Sequence, residues 1–152
     1  MECIMRANSQ FAIAIHVLTL LALSDAALSS ADIAGSAGTN PVFVRRIIGD
    51  LQRAGLVETH MGVNGGVTLA RDAGEISLLD AYDATHQGHL LSLHQSQPLK
   101  TCLCGGNIKA ALSPIFTDAE GALRERLAQY TITDVAQAIR MRAGSTPSPE
   151  TL

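Results

Sequence analysis

The sequence predicts a mainly α-helical fold with one small β-hairpin and a long helix near its C-terminus. Three observations carry that expectation. Asn40 and Pro41, a capping residue and a first-turn proline, precede Val44, Ile47, Ile48 and Leu51 at the i, i+3, i+4, i+7 spacing of one helical face. A glycine-rich stretch, Met61 to Gly66, then separates two β-prone runs, Leu56–Thr59 and Val67–Leu69. Later, Ile108, Leu112, Ile115, Ala119, Leu123 and Leu127 trace an apolar seam at spacings of three and four.

The 152 residues suffice for one domain, or a small domain with an appended element. A hydrophobic fraction of 47% excludes wholesale disorder, and 3% aromatics with no tryptophan argue against a stacking platform for single-stranded nucleic acid. The net charge of -3 disfavours strong nonspecific binding to DNA. It is unevenly placed, however. Arg6, Arg45, Arg46, Arg53 and Arg71 balance Glu2, Asp25, Asp32, Asp50 and Glu58, so residues 1–71 are neutral and the negative charge sits in the rest. Three cysteines, Cys3, Cys102 and Cys104, form no disulfide framework, which fits a reducing cytoplasm.

In chain order, Asn8 or Ser9 is expected to cap a first helix ending near Leu23, apolar on nearly every side except at His16 and Thr19. The run Phe11–Leu23 after Arg6 imitates a secretory leader, but it is too short to span a bilayer and Glu2 offsets the basic charge. It reads as a buried helix, with no membrane partner. Ser29 or Ser30 caps a short helix, Ala31–Ala37, with Ile33 and Ala34 inward and Gly38 as its stop. Gly38, Thr39 and Asn40 then turn into the helix that Gly55 ends.

Helix, short helix, turn, helix and hairpin follow the order of a winged helix-turn-helix. In that arrangement the third helix presents Asn40, Val42, Arg45 and Arg46 to base edges of double-stranded DNA, or its arginines neutralise phosphate. From the wing, His60 and Asn64 are placed for contact, while Gly62, Gly65 and Gly66 allow close approach or merely shape a turn.

Ser77 caps a helix over Leu78–Thr85, with Leu78, Leu79 and Tyr82 on its packing face. Residues 87–106 have no periodicity and form a candidate sensor loop. Asn107 is expected to cap a helix over Ile108–Gln129, kinked or broken in its first turns by Pro114, and a second copy could cover its seam. Thr133 caps a last helix to about Arg142, and residues 144–152 have the composition of a flexible tail. The expected divisions are a DNA-binding domain at 1–76, a connecting helix and sensor loop at 77–106, and dimerisation helices at 107–143.

The stretches VRRIIGDLQRAGLVET, GVNGGVTLARDAGEISLLDAYDA and CLCGGNIKAALSPIFTDAEGAL, within residues 9–135, resemble the bacterial winged-helix transcription regulators of the family containing IscR, NsrR and CymR. The resemblance implies a homodimer on a palindromic operator, a repressor, joined through the helix that starts near Ile108. It also implies DNA contacts at Asn40, Pro41, Val42, Arg45, Arg46, Gly65 and Gly66. Where the family often carries a basic residue before the first wing glycine, this chain has Met61, with His60 beside it.

Cluster-binding members carry three loop cysteines, against Cys102 and Cys104 here, so the chain is closer to the cluster-free branch and no cofactor is expected. An iron-sulfur cluster would need Cys3 or a histidine as well. Cys102, just before a helix N-terminus and with Cys104 as a second thiol, is a candidate redox thiol, against the alternative of an inert cysteine. A competing reading places zinc or another transition metal on Cys102, Cys104, His89 and His94, with His86 nearby. No phosphate loop, nucleophile elbow or catalytic carboxylate pair points to an enzyme.

Overall fold

The computed structural model describes residues 2–144, with side chains from residue 9 onward. The side chain of Cys3 and the tail at 145–152 lie outside the described residues. In order, the elements are α1 (Glu2–Leu23), α2 (Ser30–Ala37), α3 (Pro41–Arg53), β1 (Val57–His60), β2 (Gly66–Leu69), a 3-10 turn (Ala73–Glu75), α4 (Leu78–Thr85), α5 (Leu103–Ala128) and α6 (Ile132–Gly144). They fall into two compact units, one running to His86 and resuming at Ala128, the other spanning Gln87–Leu127. Helix α6 therefore belongs with the hairpin-bearing unit.

In that first unit α1 touches α2, α3, α4, α6 and β2, which explains a helix apolar on nearly every side. Ala14, Val17, Leu18 and Leu21 meet Ile33 and Ala34 of α2, the Val44, Ile47, Ile48 and Leu51 stripe of α3, and Leu56, Val57 and Val67 around the hairpin. Ile76, Ala81 and Ile132 complete this core. Burying a side chain of this size is worth about 1.5–3 kcal/mol, so the α3 stripe fixes which face of α3 is left outward. Among the described residues, no helix is long and apolar enough to cross a membrane.

The starts of α1, α5 and α6 differ from expectation. Helix α1 runs from Glu2 through Asn8 and Ser9, which sit inside it rather than capping it, because the preceding Glu, Met, Arg and Ala residues propagate a helix well. On α4 the fully buried residue is Ala81, while Leu78, Leu79 and Tyr82 are half-buried. Tyr82 stands edge-on to Phe11 with ring centroids 5.4 Å apart and stacks on His86 at 4.7 Å.

Helix α5 starts at Leu103, four residues before the expected cap, and Asn107 instead donates its side-chain amide to Leu103 O at 2.8 Å. It stays helical through Pro114 rather than breaking there. Its first turn admits Gly105 and Gly106 because the backbone of Leu99 and Lys100 lies against them. A Cβ on Gly106 would sit 2.6 Å from Lys100 O, and one on Gly105 3.1 Å from Leu99 N. Helix α6 is capped by Thr131, not Thr133. The Thr131 N–H and hydroxyl donate to Asp134 Oδ2 at 2.7 and 3.0 Å.

Candidate nucleic-acid interface

Two capped helices and a tight turn build the candidate interface. The Ser29 hydroxyl accepts from Asp32 N at 3.1 Å while Ser29 N donates to Asp32 Oδ2 at 3.2 Å, closing a capping box at the start of α2. The Ser29 hydroxyl and then its N–H hold the Asp32 carboxyl below the usual carboxylate range. Gly38 closes α2 at φ 63°, where glycine has no Cβ to strain, and Thr39 N donates to Ala34 O at 3.0 Å. Two residues later Asn40 Oδ1 accepts from Val42 N at 2.8 Å and Pro41 opens α3. The side-chain oxygen of Asn40 is therefore used by the helix itself.

With Val44, Ile47, Ile48 and Leu51 turned inward, Val42 lies three and four residues before Arg45 and Arg46, and Gly49 and Arg53 continue the outer side at Arg46 plus three and plus seven. Val42 is 66% exposed. Arg45 Nε donates to Ser30 Oγ at 3.3 Å, which ties α3 to the first residue of α2. Arg53 is paired with Asp50 one turn back. Arg46 is exposed and has no ion pair among the described residues, so its guanidinium is the one on α3 most available to an incoming anion.

The hairpin pairs Val57 with Leu69, Glu58 with Thr68, Thr59 with Val67 and His60 with Gly66. It is anchored. Val67 N donates to Leu28 O at 2.8 Å and Leu28 N to Val67 O at 3.1 Å, so the segment between α1 and α2 adds a bridge beside β2. Gly66, at φ 147°, makes this approach possible, since a Cβ there would lie 2.7 Å from Leu28 O. The His60 ring bonds across the strands to Thr68 Oγ1 at 3.0 Å. At the tip, Asn64 is exposed, and Met61 and Val63 are fully so. The sequence points to His60 and Asn64 as contact side chains, whereas Val63, an isolated apolar residue in a glycine-rich turn, carries no signal of its own.

In the second unit, Cys102 and Cys104 are exposed free thiols at the start of α5. Backbone N–H groups of Gly105 and then Cys104 favour the thiolate and pull the Cys102 pKa below its ordinary value. His89 is engaged elsewhere, its Nδ1 lying 2.9 Å from Glu120 Oε2, and Leu91 N donates to Glu120 Oε1 at 3.0 Å. Nothing local in the sequence links positions so far apart. Among the described residues no three His, Cys, Asp or Glu side chains gather where they could hold a metal, so His89 and His94 do not join the two thiols. Two thiols alone are fewer donors than structural zinc or an iron-sulfur cluster takes, and the Cys3 side chain lies outside the described residues.

The profile of Rrf2, described as iron-dependent transcriptional regulators, matches residues 7–138. The chain belongs to the Rrf2 family. As an Rrf2 protein it is a DNA-binding transcriptional regulator and not an enzyme. The Rrf2 chain is similar to YwnA of Bacillus subtilis, named as a candidate HTH-type transcriptional regulator, with 39% identity over 84% of this chain and 95% of YwnA. A solved structure described as a candidate DNA-binding protein matches with a TM-score of 0.68 and 36% identity, covering 83% of this chain and 97% of the other. CymR of B. subtilis, described as its global cysteine regulator, shares the fold with a TM-score of 0.65 at 17% identity, over 85% of this chain and 94% of CymR.

Proposed function

We propose that this Rrf2 protein is a cytoplasmic homodimeric repressor that reads a palindromic operator through the N-terminal half of α3 and the hairpin. The observation that carries the reading is the outward stripe of Val42, Arg45 and Arg46 on a helix whose opposite face is locked into the core. Arginine can pair bidentately with guanine in the major groove, and Val42 can meet a thymine methyl. Asn40 and Pro41 set the start of the helix, and Gly65, Gly66, His60 and Asn64 form the wing's approach to the duplex.

The test uses the full-length protein and a duplex spanning its own upstream region, with binding followed by fluorescence anisotropy at fixed salt. Arg46→Ala is expected to weaken specific binding by roughly tenfold or more. Arg53→Ala, which removes a guanidinium already paired with Asp50, is expected to change it less. Equal effects of the two substitutions overturn the assignment of α3's outer face.

Regulation is assigned to Cys102, whose thiolate is favoured by the N–H groups around it. Two-electron oxidation by a peroxide, which converts the Cys102 thiolate to a sulfenic acid as the peroxide is reduced to water, with or without condensation onto the Cys104 thiol with loss of water, is proposed to loosen operator binding. We further propose that no resident metal takes part, in line with a donor set of two thiols among the described residues. Because the family is described as iron-dependent, anaerobic purification with an absorbance spectrum and iron analysis decides this point. Stoichiometric iron and a visible chromophore replace the thiol switch with a cluster-based one.

A further inference from the structure

We infer that the tip of the wing is an apolar wedge, in which Met61 and Val63 press on an A·T-rich minor groove next to the site occupied by α3. The inference rests on the DNA-binding reading above and deepens it. No lysine or arginine occurs between Arg53 and Arg71. The formal charge inside that interval is the exposed carboxylate of Glu58 on β1, and the ring of His60 is engaged with Thr68 Oγ1 and lies 4.0 Å from Glu58 Oε2. A hairpin with that charge cannot hold phosphate as a basic wing does, because its formal charge has the same sign as the backbone of DNA.

What the tip offers instead is shape and apolar surface. Met61 and Val63 are fully exposed on a turn closed by Gly65 N donating to Gly62 O at 2.9 Å. Gly62 takes φ 105°, and a Cβ on Gly65 would come within 2.8 Å of Gly62 O, so the glycines set the turn's form. Single exposed apolar residues need no explanation, but two on one pinned turn form a small protrusion whose burial waits for a partner. A winged helix sets its hairpin at the backbone or minor groove flanking the major-groove helix, and a tip with no cation for the phosphates gains there by apolar contact with the groove floor. The floor of the minor groove accepts apolar side chains such as methionine, and A·T pairs leave it free of the guanine amino group.

The experiment compares full-length wild type with the double variant Met61→Ser/Val63→Ser on an operator fragment mapped by footprinting, across a salt titration. The double variant is expected to bind at least tenfold more weakly with an unchanged slope of log K against log salt, since burial is lost and no counterion is involved. Met61→Lys should steepen that slope by about one. Replacing the A·T pairs under the wing by inosine·cytosine, which keeps their minor-groove face, is expected to preserve affinity, whereas G·C weakens it.

Equal binding by the double variant, a shallower slope in it, or equal loss with inosine·cytosine and G·C overturns the wedge. A wild-type protein that binds no duplex overturns the DNA reading itself, which is a different result from tight binding indifferent to the tip.

Discussion

Cys102 and Glu120 show how a few N–H groups can fix the ionisation of an exposed side chain. Around Cys102 the amides of Gly105 and Cys104 lower the thiol pKa, so its alkylation rate should reach half-maximum at a lower pH than that of an ordinary cysteine thiol, which titrates near ~8.5. Iodoacetamide labelling of the Cys104→Ser variant, followed by mass spectrometry across pH, checks this. For Glu120, the His89 hydrogen bond and then Leu91 N–H lower the carboxyl pKa. A depressed carboxylate pKa means that the tie between loop and helix contributes at neutral pH and is lost as pH falls through the folded-state value. Amide exchange at Leu91 is therefore expected to accelerate, relative to its intrinsic rate, on acidification below the ordinary glutamate range. Glu120→Gln should abolish that pH step. Asn40 and Pro41 were legible from local capping chemistry alone. The partners of His60, Arg45 and His89 were not, because strand register and tertiary approach decide them.

Elements were readable where side-chain chemistry and periodicity agreed. Asn40 before the α3 stripe and Ser77 before Leu78 each join a cap to an apolar pattern, and α3 and α4 begin there, while α2 begins at Ser30, one residue before Ala31, because Ser29 is the cap that pairs with Asp32. The start of α5 was missed because Gly105 and Gly106 argue against a helix locally, while the Leu99–Lys100 backbone lying against them favours residues without a Cβ. The start of α6 was misplaced by two residues, since Thr131 and Thr133 are both plausible caps and the Asp134 partner selects the first. The hairpin was predicted but its tether was not. At Gly66, which combines φ 147° with close contact to Leu28, Gly66→Ala is expected to destabilise the fold by about 1–3 kcal/mol in urea unfolding. It should also raise the exchange rate of the Val67 amide, the donor to Leu28 O. An unchanged midpoint there would mean that the bridge carries no load.

Across the whole chain, the first unit buries a continuous core while α5 has no buried residue at all. Ile115 in its apolar seam is 60% exposed, and Leu112, Leu123 and Leu127 are half-buried. A helix of 26 residues with that seam is consistent with assembly through a second copy. Ile115→Glu is accordingly expected to yield a monomer in sedimentation velocity, with far-ultraviolet circular dichroism little changed and affinity for a two-half-site duplex reduced about a hundredfold or more. A dimeric Ile115→Glu protein would move the interface elsewhere. The seam itself was visible in the sequence through its spacing. That α6 joins the first unit was not, because its contacts with α1 link opposite ends of the chain.

Leu28, which holds the hairpin, is the residue immediately before the Ser29 cap of α2. One short backbone segment thus ties the hairpin to the start of the helix that packs on α3. In the proposed DNA-bound state, hairpin and α3 are therefore offered at a separation that this shared segment sets.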